Sequence, residues 1–143
     1  MYLGPPIDDP AILEALPPEL ASLLQRANGY VAYDGGLHVR GACHEPEWHS
    51  LRAAWHGPRA IHRLFPAVRP HDIPFGEDAL GHQFVLRAGI VHRLDAEPAI
   101  SHRLKSISRI SMPLYAQIRS GICRCSLSHV SARREDYWSP VSS

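Results

Sequence analysis

Residues 71–97, HDIPFGEDALGHQFVLRAGIVHRLDAE, decide the fold that we predict for this chain of 143 residues. Within them, Gln83–Arg87 and Ile90–Leu94 are two runs rich in β-branched and large apolar residues. Only Ala88 and Gly89 separate the two runs. Two such runs joined by a two-residue connection are typical of a β-hairpin. We therefore predict an antiparallel hairpin at this point.

The alternation of side chains along the hairpin predicts apolar groups on both of its faces. Phe84, Leu86 and Val91 share one face, and Val85, Ile90 and Leu94 share the other. The hairpin should therefore be central in a sheet that is covered on both sides. Pro74 places the preceding strand at an edge or at a bulge, because proline has no N–H to donate. Ala88 stands where a tight turn often demands a positive φ, at a cost of about 1 kcal/mol.

Helices are predicted before the hairpin. Asp9 followed by Pro10 is a typical helix start. A second helix has its apolar face at Leu20, Leu23, Leu24 and Ala27, and it should end at Asn28 and Gly29. Two short strands are expected on either side of residues 34–36. The fold predicted for this part is α+β, an antiparallel sheet with a central β-hairpin flanked by helices.

A further helix is predicted from Glu45, Pro46 and Glu47 onward, since acidic residues favour the first turn of a helix. Trp48 and Trp55, seven residues apart, would lie on one stripe of this helix together with Leu51. Aromatic residues at helical spacing usually pack in a core. Exposed ones anchor protein interfaces, and both tryptophans are therefore kept as candidate contact residues.

The order of these motifs resembles the SUKH superfamily, which contains the yeast Smi/Knr cell-wall regulators and many bacterial immunity proteins. The resemblance covers residues 16–97 and rests on LPPEL at 16–20, NG at 28–29, GGLHVRG at 35–41, WHSLR at 48–52 and the hairpin region. His82 and Ala88 depart from it, because relatives usually have Asp at the first position and Asp or Asn at the second. The resemblance implies a SUKH-like α+β domain that acts by protein contact.

The composition changes sharply near residue 98. Residues 1–98 contain twelve acidic residues and eight arginines without lysine, whereas residues 99–143 contain seven basic residues and two acids. Eleven of the serines fall in the last 43 residues. We therefore divide the chain into a SUKH-like domain at 1–98, incomplete at its C-terminal end, and a divergent basic Ser/Arg-rich tail at 99–143. A frameshift and ordinary divergence are both open as explanations of the tail.

Several classes of function find little support in the sequence. No apolar run reaches the length of a membrane span, and the N-terminus lacks the pattern of a secretory signal, so we expect a cytoplasmic protein. Three cysteines argue against a disulfide framework. Residues 35–36 lack the Lys and Ser/Thr of a phosphate loop. The acidic balance of residues 1–98 argues against nucleic acid binding, because such a surface repels phosphate.

Histidine, cysteine and carboxylate residues are the remaining candidates for chemistry. Ten histidines are scattered over different elements, without the i, i+4 step that pairs ligands on one helix face. Cys123, Cys125 and His129 lack a second ligand pair at zinc-site spacing. Neither Ser22 nor Ser50 has the context of a catalytic nucleophile. We predict no catalytic residue, metal or cofactor, and keep a small metal-dependent hydrolase as the less favoured alternative.

Protein binding is the function that these observations favour. In a bacterium, the resemblance implies an immunity protein that neutralises a toxin, such as a nuclease, by direct binding; an intracellular scaffold or regulator is the alternative. The rim of the sheet is where binding residues collect, and no Lys or Arg lies between Asp72 and Leu86 to neutralise its acids. The candidate partner-binding residues are Asp72, Glu77, Asp78, His82, Gln83, Trp48 and Trp55.

Elemental analysis of the purified protein tests the expected absence of a metal. We expect less than stoichiometric zinc after dialysis, because no ligand set has recognised spacing. One tightly held zinc per chain would contradict this expectation and favour the hydrolase alternative.

Overall fold

The computed structural model describes residues 1–96 together with the backbone of residues 104–109. In these residues, seven antiparallel strands form one sheet whose spatial order follows the order of the chain. The strands are β1 (Tyr2–Leu3), β2 (Tyr30–Ala32), β3 (Leu37–Val39), β4 (Ile73–Asp78), β5 (Gln83–Arg87), β6 (Ile90–Leu94) and β7 (Leu104–Arg109). The helices are α1 (Pro10–Glu14), α2 (Pro18–Arg26), a 3₁₀ turn (Glu47–His49), α3 (Leu51–His56) and α4 (Ile61–Leu64). The predicted α+β class is confirmed.

The predicted hairpin is confirmed with its register. Strands β5 and β6 pair so that Leu86 faces Val91 and Arg87 faces Ile90, which leaves Ala88 and Gly89 as the loop. Both loop residues have positive φ, 47° and 75°, as a type I′ turn requires. The hairpin lies inside the sheet, since β4 pairs with one of its strands and β7 with the other.

Separate apolar clusters cover the two faces of the hairpin, as the alternation predicts. Phe84, Leu86 and Val91 are buried in the larger cluster, to which α1, α2 and α3 contribute. Val85 and Leu94 are buried in a smaller cluster with Ile61 and Val68. Two-sided burial specifies the register strongly, because a slip by one residue would exchange the two faces.

Strand β4 contains the irregularity that Pro74 predicts. The register of β4 against β5 shifts between Ile73 and Gly76, which is a bulge around the proline. The strand is central, since it pairs with β3 on one side and β5 on the other. Pro74 therefore marks a bulge within the sheet and not an edge.

The helix predicted from Glu45 onward is divided into two pieces. The 3₁₀ turn Glu47–His49 comes first, and Ser50 then begins α3 by accepting a hydrogen bond at Oγ from the N–H of Ala53. Because Ser50 has an extended backbone between them, the two pieces are not one continuous helix, and the predicted stripe of Trp48 and Trp55 is wrong. Trp55 is buried, whereas Trp48 is 56% exposed.

Asp9 connects the first helix to the third. It begins α1 by accepting the N–H of Ile12 at Oδ1, as the sequence predicts. Its two carboxylate oxygens also accept hydrogen bonds from Nε and Nη2 of Arg52 at 2.5 and 2.8 Å. The hydrogen bond from Arg52 lowers the pKa of Asp9, although burial opposes the shift. This ion pair is partly buried and bidentate, which are the conditions under which a salt bridge stabilises a fold.

Strand β7 lies beyond residue 98, within the segment that the sequence analysis assigns to the basic tail. It pairs along β6, with Leu94 opposite Leu104 and Ile90 opposite Arg109. The division of the chain at residue 98 stays a prediction, and the rest of the predicted tail lies outside the described residues. In the part that is described, no helix combines the length and the apolar character needed to cross a membrane.

The turn at Ala88 generates a prediction about stability. Replacing Ala88 by Asn should raise the free energy of unfolding by about 0.5–1 kcal/mol, because Asn tolerates the left-handed conformation better than Ala. Urea denaturation measures the change. Ala79→Asn is the matched control, since Ala79 is also an exposed loop residue but has no positive φ. A loss of stability in Ala88→Asn, or an equal gain in the control, would contradict the explanation.

Candidate functional site

A row of polar side chains crosses one face of the sheet near its N-terminal edge. Tyr2 pairs with Val31, Val31 with His38, His38 with Glu77, and Glu77 with Gln83. Residues opposite one another on neighbouring strands project to the same face. His38, Glu77 and Gln83 are therefore adjacent, and we call these three residues the polar row.

Arg40 extends the polar row into the interior of the protein. Its Nη1 donates hydrogen bonds to the carbonyl oxygens of Pro74 at 2.8 Å and Gly76 at 3.3 Å. Its Nη2 donates to Glu77 Oε2 at 3.0 Å and to Gln83 Oε1 at 2.9 Å. Burial lowers the pKa of Arg40, and the charge of Glu77 opposes this shift. The guanidinium is thus a buried cation with four partners.

Glu77 is the counter-charge of this network. It accepts hydrogen bonds from Arg40, from Gln83 Nε2 at 2.9 Å and, through Oε1, from Nδ1 of His38 at 3.0 Å. The hydrogen bond from His38 lowers the pKa of Glu77 to about 2 against the opposing effect of burial, with further lowering from Arg40 and Gln83. Glu77 is therefore ionised at every pH at which most proteins are folded.

A chain of hydrogen bonds runs inward from Glu77 through two histidines. Nε2 of His38 lies 3.0 Å from Nδ1 of His49, and Nε2 of His49 lies 3.1 Å from the carbonyl oxygen of Asn28. His49 is completely buried. Burial lowers the pKa of His49, and the hydrogen bond to Asn28 opposes that shift.

Three glycines make room for the His49 ring. A Cβ atom added to Gly4 or to Gly29 would overlap Nε2 of His49, and one added to Gly41 would lie 3.0 Å from it. Gly29 also has a φ of 74°, which residues with a Cβ rarely adopt. The ring is therefore enclosed by backbone, which fixes the position of both of its nitrogen atoms.

Trp48 covers the histidine pair from the solvent side. The centroid of its indole lies 5.3 Å from that of His38, 5.3 Å from that of His49 and 5.5 Å from that of Tyr2. These are distances of ordinary aromatic packing. One side of the indole is thus held in place, while 56% of the residue stays exposed.

A cleft of about 570 Å³ opens beside Trp48. Its lining includes Glu45, Pro46, Glu47, Trp48, Arg40, Ser50, Ala53, Ala54, Arg59 and Ile61. Glu45 and Glu47 are exposed, and no residue in the described part of the chain forms a salt bridge with either. The lining of the cleft therefore contains an exposed aromatic ring and two exposed carboxylates.

The acids of the rim expected at residues 72–78 have partners within the protein, and two of the three pair with arginines. Asp72 is buried and accepts two hydrogen bonds from Arg87, at 2.8 and 2.5 Å. Burial acts to raise the pKa of Asp72, but the hydrogen bonds from Arg87 and Arg69 outweigh it and the pKa is lowered. Asp78 Oδ2 lies 2.9 Å from Nδ1 of His82.

For Asp72 and Glu77, the expectation of an unneutralised acidic patch is therefore wrong. It rested on the absence of Lys and Arg within residues 72–86, whereas the cations are Arg40, directly after β3, and Arg87, at the end of β5. Glu77, Asp78, His82 and Gln83 do lie close together, as predicted. Asp72 lies elsewhere with Arg87, and Trp55 is buried with Nε1 donating to the carbonyl oxygen of Pro70 at 3.0 Å.

Three members of the network were not among the predicted site residues: His38, Arg40 and His49. A signal for the first two was present in the sequence, because Leu37 and Val39 alternate with them over residues 37–40. A strand that alternates in this way places its polar residues on one face. His49 had no comparable signal, since its position depends on the interruption of the helix at Ser50.

Comparisons with known proteins identify no relative of this chain. No protein-family model matches it, and neither a curated protein nor a solved structure is significantly similar to it. Among residues 1–96, no group of three or more His, Cys, Asp or Glu side chains is arranged to hold a metal ion.

The lowered pKa of Glu77 predicts how stability depends on pH. A folded-state pKa of about 2 lies below the ordinary value of 4.5, so the carboxylate stabilises the fold above about pH 4.5. That contribution is lost as the pH falls from there towards 2. In Glu77→Gln we expect the free energy of unfolding to fall by about 2 kcal/mol at pH 7, because the hydrogen bonds to Arg40 and His38 are weakened. The free energy of unfolding of this variant should also decrease less than that of the wild type as the pH is lowered towards 3.

Urea denaturation between pH 3 and pH 7 measures both effects. Glu14→Gln is the control, because Glu14 is exposed and should alter stability by no more than about 0.5 kcal/mol. Parallel curves for wild type and Glu77→Gln would contradict the role assigned to Glu77.

Proposed function

We propose that this chain is a non-enzymatic, cytoplasmic protein-binding domain of the SUKH immunity type, which neutralises a toxin by binding it directly at the cleft beside Trp48. The observation that carries the proposal is the exposure of Trp48 in a fixed position. Monomeric proteins usually bury an indole, and tryptophan is enriched among the residues that dominate binding energy.

The packing around Trp48 supports its use as an anchor. Tyr2, His38 and His49 surround one side of the ring, so the indole is already positioned before a partner arrives. A side chain that is immobilised in advance loses less conformational entropy on binding. More of the energy gained by burying its exposed surface then remains available for affinity.

Two exposed carboxylates in the lining of the cleft indicate the chemistry of the partner. Glu45 and Glu47 are exposed on either side of Pro46, directly before Trp48. A Lys or Arg of the partner could pair with these carboxylates and also contact the indole face by a cation–π interaction. A basic toxin domain, such as a nuclease, fits this arrangement, and its association should slow as salt rises.

This proposal keeps the predicted class of function but places the binding surface at the cleft beside Trp48 and not at residues 72–83. Of the seven candidate contact residues, Trp48 retains an exposed apolar ring. Glu77 and Asp78 are engaged within the protein, so charge-reversing substitutions there would disturb the fold together with any interface. A scaffold or regulator of the Smi/Knr type would use the same surface, and the identity of the partner separates the two functions.

Binding to the protein encoded by the neighbouring gene tests the proposal. We expect a complex, and we expect Trp48→Ala to weaken it by about 2 kcal/mol, or about thirtyfold, as for an interface anchor. Calorimetric titration measures the affinity, and denaturation checks that the variant is folded. Replacing Glu45 and Glu47 together by Gln should slow association and reduce its dependence on salt.

Leu80→Ala is the matched control for the loss of apolar surface. Leu80 is 70% exposed in the turn between β4 and β5, and it does not line the cleft. Its replacement should leave the affinity unchanged. Equal affinities for wild type and Trp48→Ala would exclude the cleft as the surface, and the absence of any complex would overturn the proposed class of partner.

A further inference from the structure

The hydrogen-bond chain from Glu77 to Asn28 can form completely only if its two histidine rings carry a particular number of protons. It contains three contacts, from Glu77 Oε1 to His38, from His38 to His49 and from His49 to the carbonyl oxygen of Asn28. Its two ends are acceptors only, a carboxylate and a carbonyl. Each contact needs one N–H, so the two rings together must carry three. Two neutral imidazoles carry two, and the chain is complete only with one imidazolium.

We propose that Glu77, His38 and His49 form a one-proton switch, complete when the histidine pair holds a single extra proton and broken at one contact when that proton leaves. In the broken state, two lone pairs face each other across a distance of about 3 Å, at one of the three contacts. An opposed pair of acceptors in a buried position is unfavourable, so the rings must move apart or admit water.

The groups around the pair determine where the extra proton resides. Glu77 lies on the His38 side and attracts it, whereas the buried Arg40 repels it. Tyr2 contacts His49 edge-on through its ring, and Trp48 is uncharged. Since burial lowers the pKa of His49, that ring is the neutral one, with its proton on Nε2 towards Asn28. His38 then carries both protons, one towards Glu77 and one towards His49.

The switch reaches the cleft through Trp48. The indole contacts both histidine rings, and an imidazolium is attracted to an indole face more strongly than a neutral ring is. Loss of the proton therefore weakens the contact that positions Trp48. This consequence for binding rests on the proposed function of the cleft, whereas the switch itself does not.

Nitrogen NMR on the free, full-length protein tests the switch. Long-range ¹H–¹⁵N correlation spectra report for each histidine which ring nitrogens carry a proton. At the acidic end of a titration from about pH 5 to pH 8, where imidazoles titrate, His38 should be protonated at both nitrogens and His49 at Nε2 alone. With rising pH the pair should release one proton, and the signals of both rings should change with a common midpoint.

Two results would overturn the switch. The first is a pair that stays neutral at every pH at which the protein is folded. The second is a pair that releases two protons at separate midpoints, as independent histidines would. The indole N–H signal of Trp48, identified by its loss in Trp48→Phe, should shift with the common midpoint. A Trp48 signal that does not respond would overturn the link to the cleft.

Glu77→Gln tests why the proton is held. The new amide could donate to Nδ1 of His38 while its oxygen accepts from Arg40, so the chain would be complete with two neutral rings. The midpoint should then move to lower pH by about one unit or more, because an opposite charge next to the pair is lost. An unchanged midpoint would contradict the role of Glu77. The wild-type titration decides the proposal by itself if this variant does not fold.

Discussion

The buried guanidinium of Arg40 is the constraint on which this end of the sheet depends. A cation removed from water is costly unless its hydrogen bonds and its charge are matched inside the protein. Glu77 supplies the charge, Gln83 supplies one acceptor, and the backbone oxygens of Pro74 and Gly76 supply two more. These partners come from β4 and β5, so one side chain directly after β3 fixes how three strands meet.

The face of the sheet that carries the polar row therefore has two regions, which are stabilised by different interactions. Around Val85 and Leu94 it is apolar and is covered by residues of α4 and the segment that follows. Around the polar row it is held by directed hydrogen bonds, and no long helix of the described residues covers it. The 3₁₀ turn closes this second region with His49 inside and Trp48 outside. The exposed indole is a consequence of filling the space beneath it with two polar rings.

Close packing of the backbone makes the histidine chain precise. Gly4, Gly29 and Gly41 approach His49 where a Cβ atom would not fit beside it. A ring held in this way has little freedom to turn away from an unfavourable partner. A change in its protonation therefore affects the neighbouring hydrogen bonds more than it would for a surface histidine. The acids of the neighbouring rim, Asp72 and Asp78, are likewise committed to internal partners. Charge that is available to a second protein is found at Glu45 and Glu47.

The sequence by itself determined the hairpin, its two-residue turn, its register and the two apolar faces. These features follow from alternation over a few residues and from the positive φ that a two-residue turn requires at Ala88 and Gly89. Both are local properties of the chain. The sequence also determined the start of α1 at Asp9, whereas at Pro74 it left an edge strand and a bulge open. The tertiary structure alone decided that Arg40 neutralises Glu77 and that Arg87 neutralises Asp72. It also decided that the helix is interrupted at Ser50, so that Trp48 is exposed and Trp55 is buried. Arg40 and Glu77 are 37 positions apart in the sequence, and Asp72 and Arg87 are 15 positions apart. Side-chain pairing at such separations depends on how the strands pack, which no local pattern specifies.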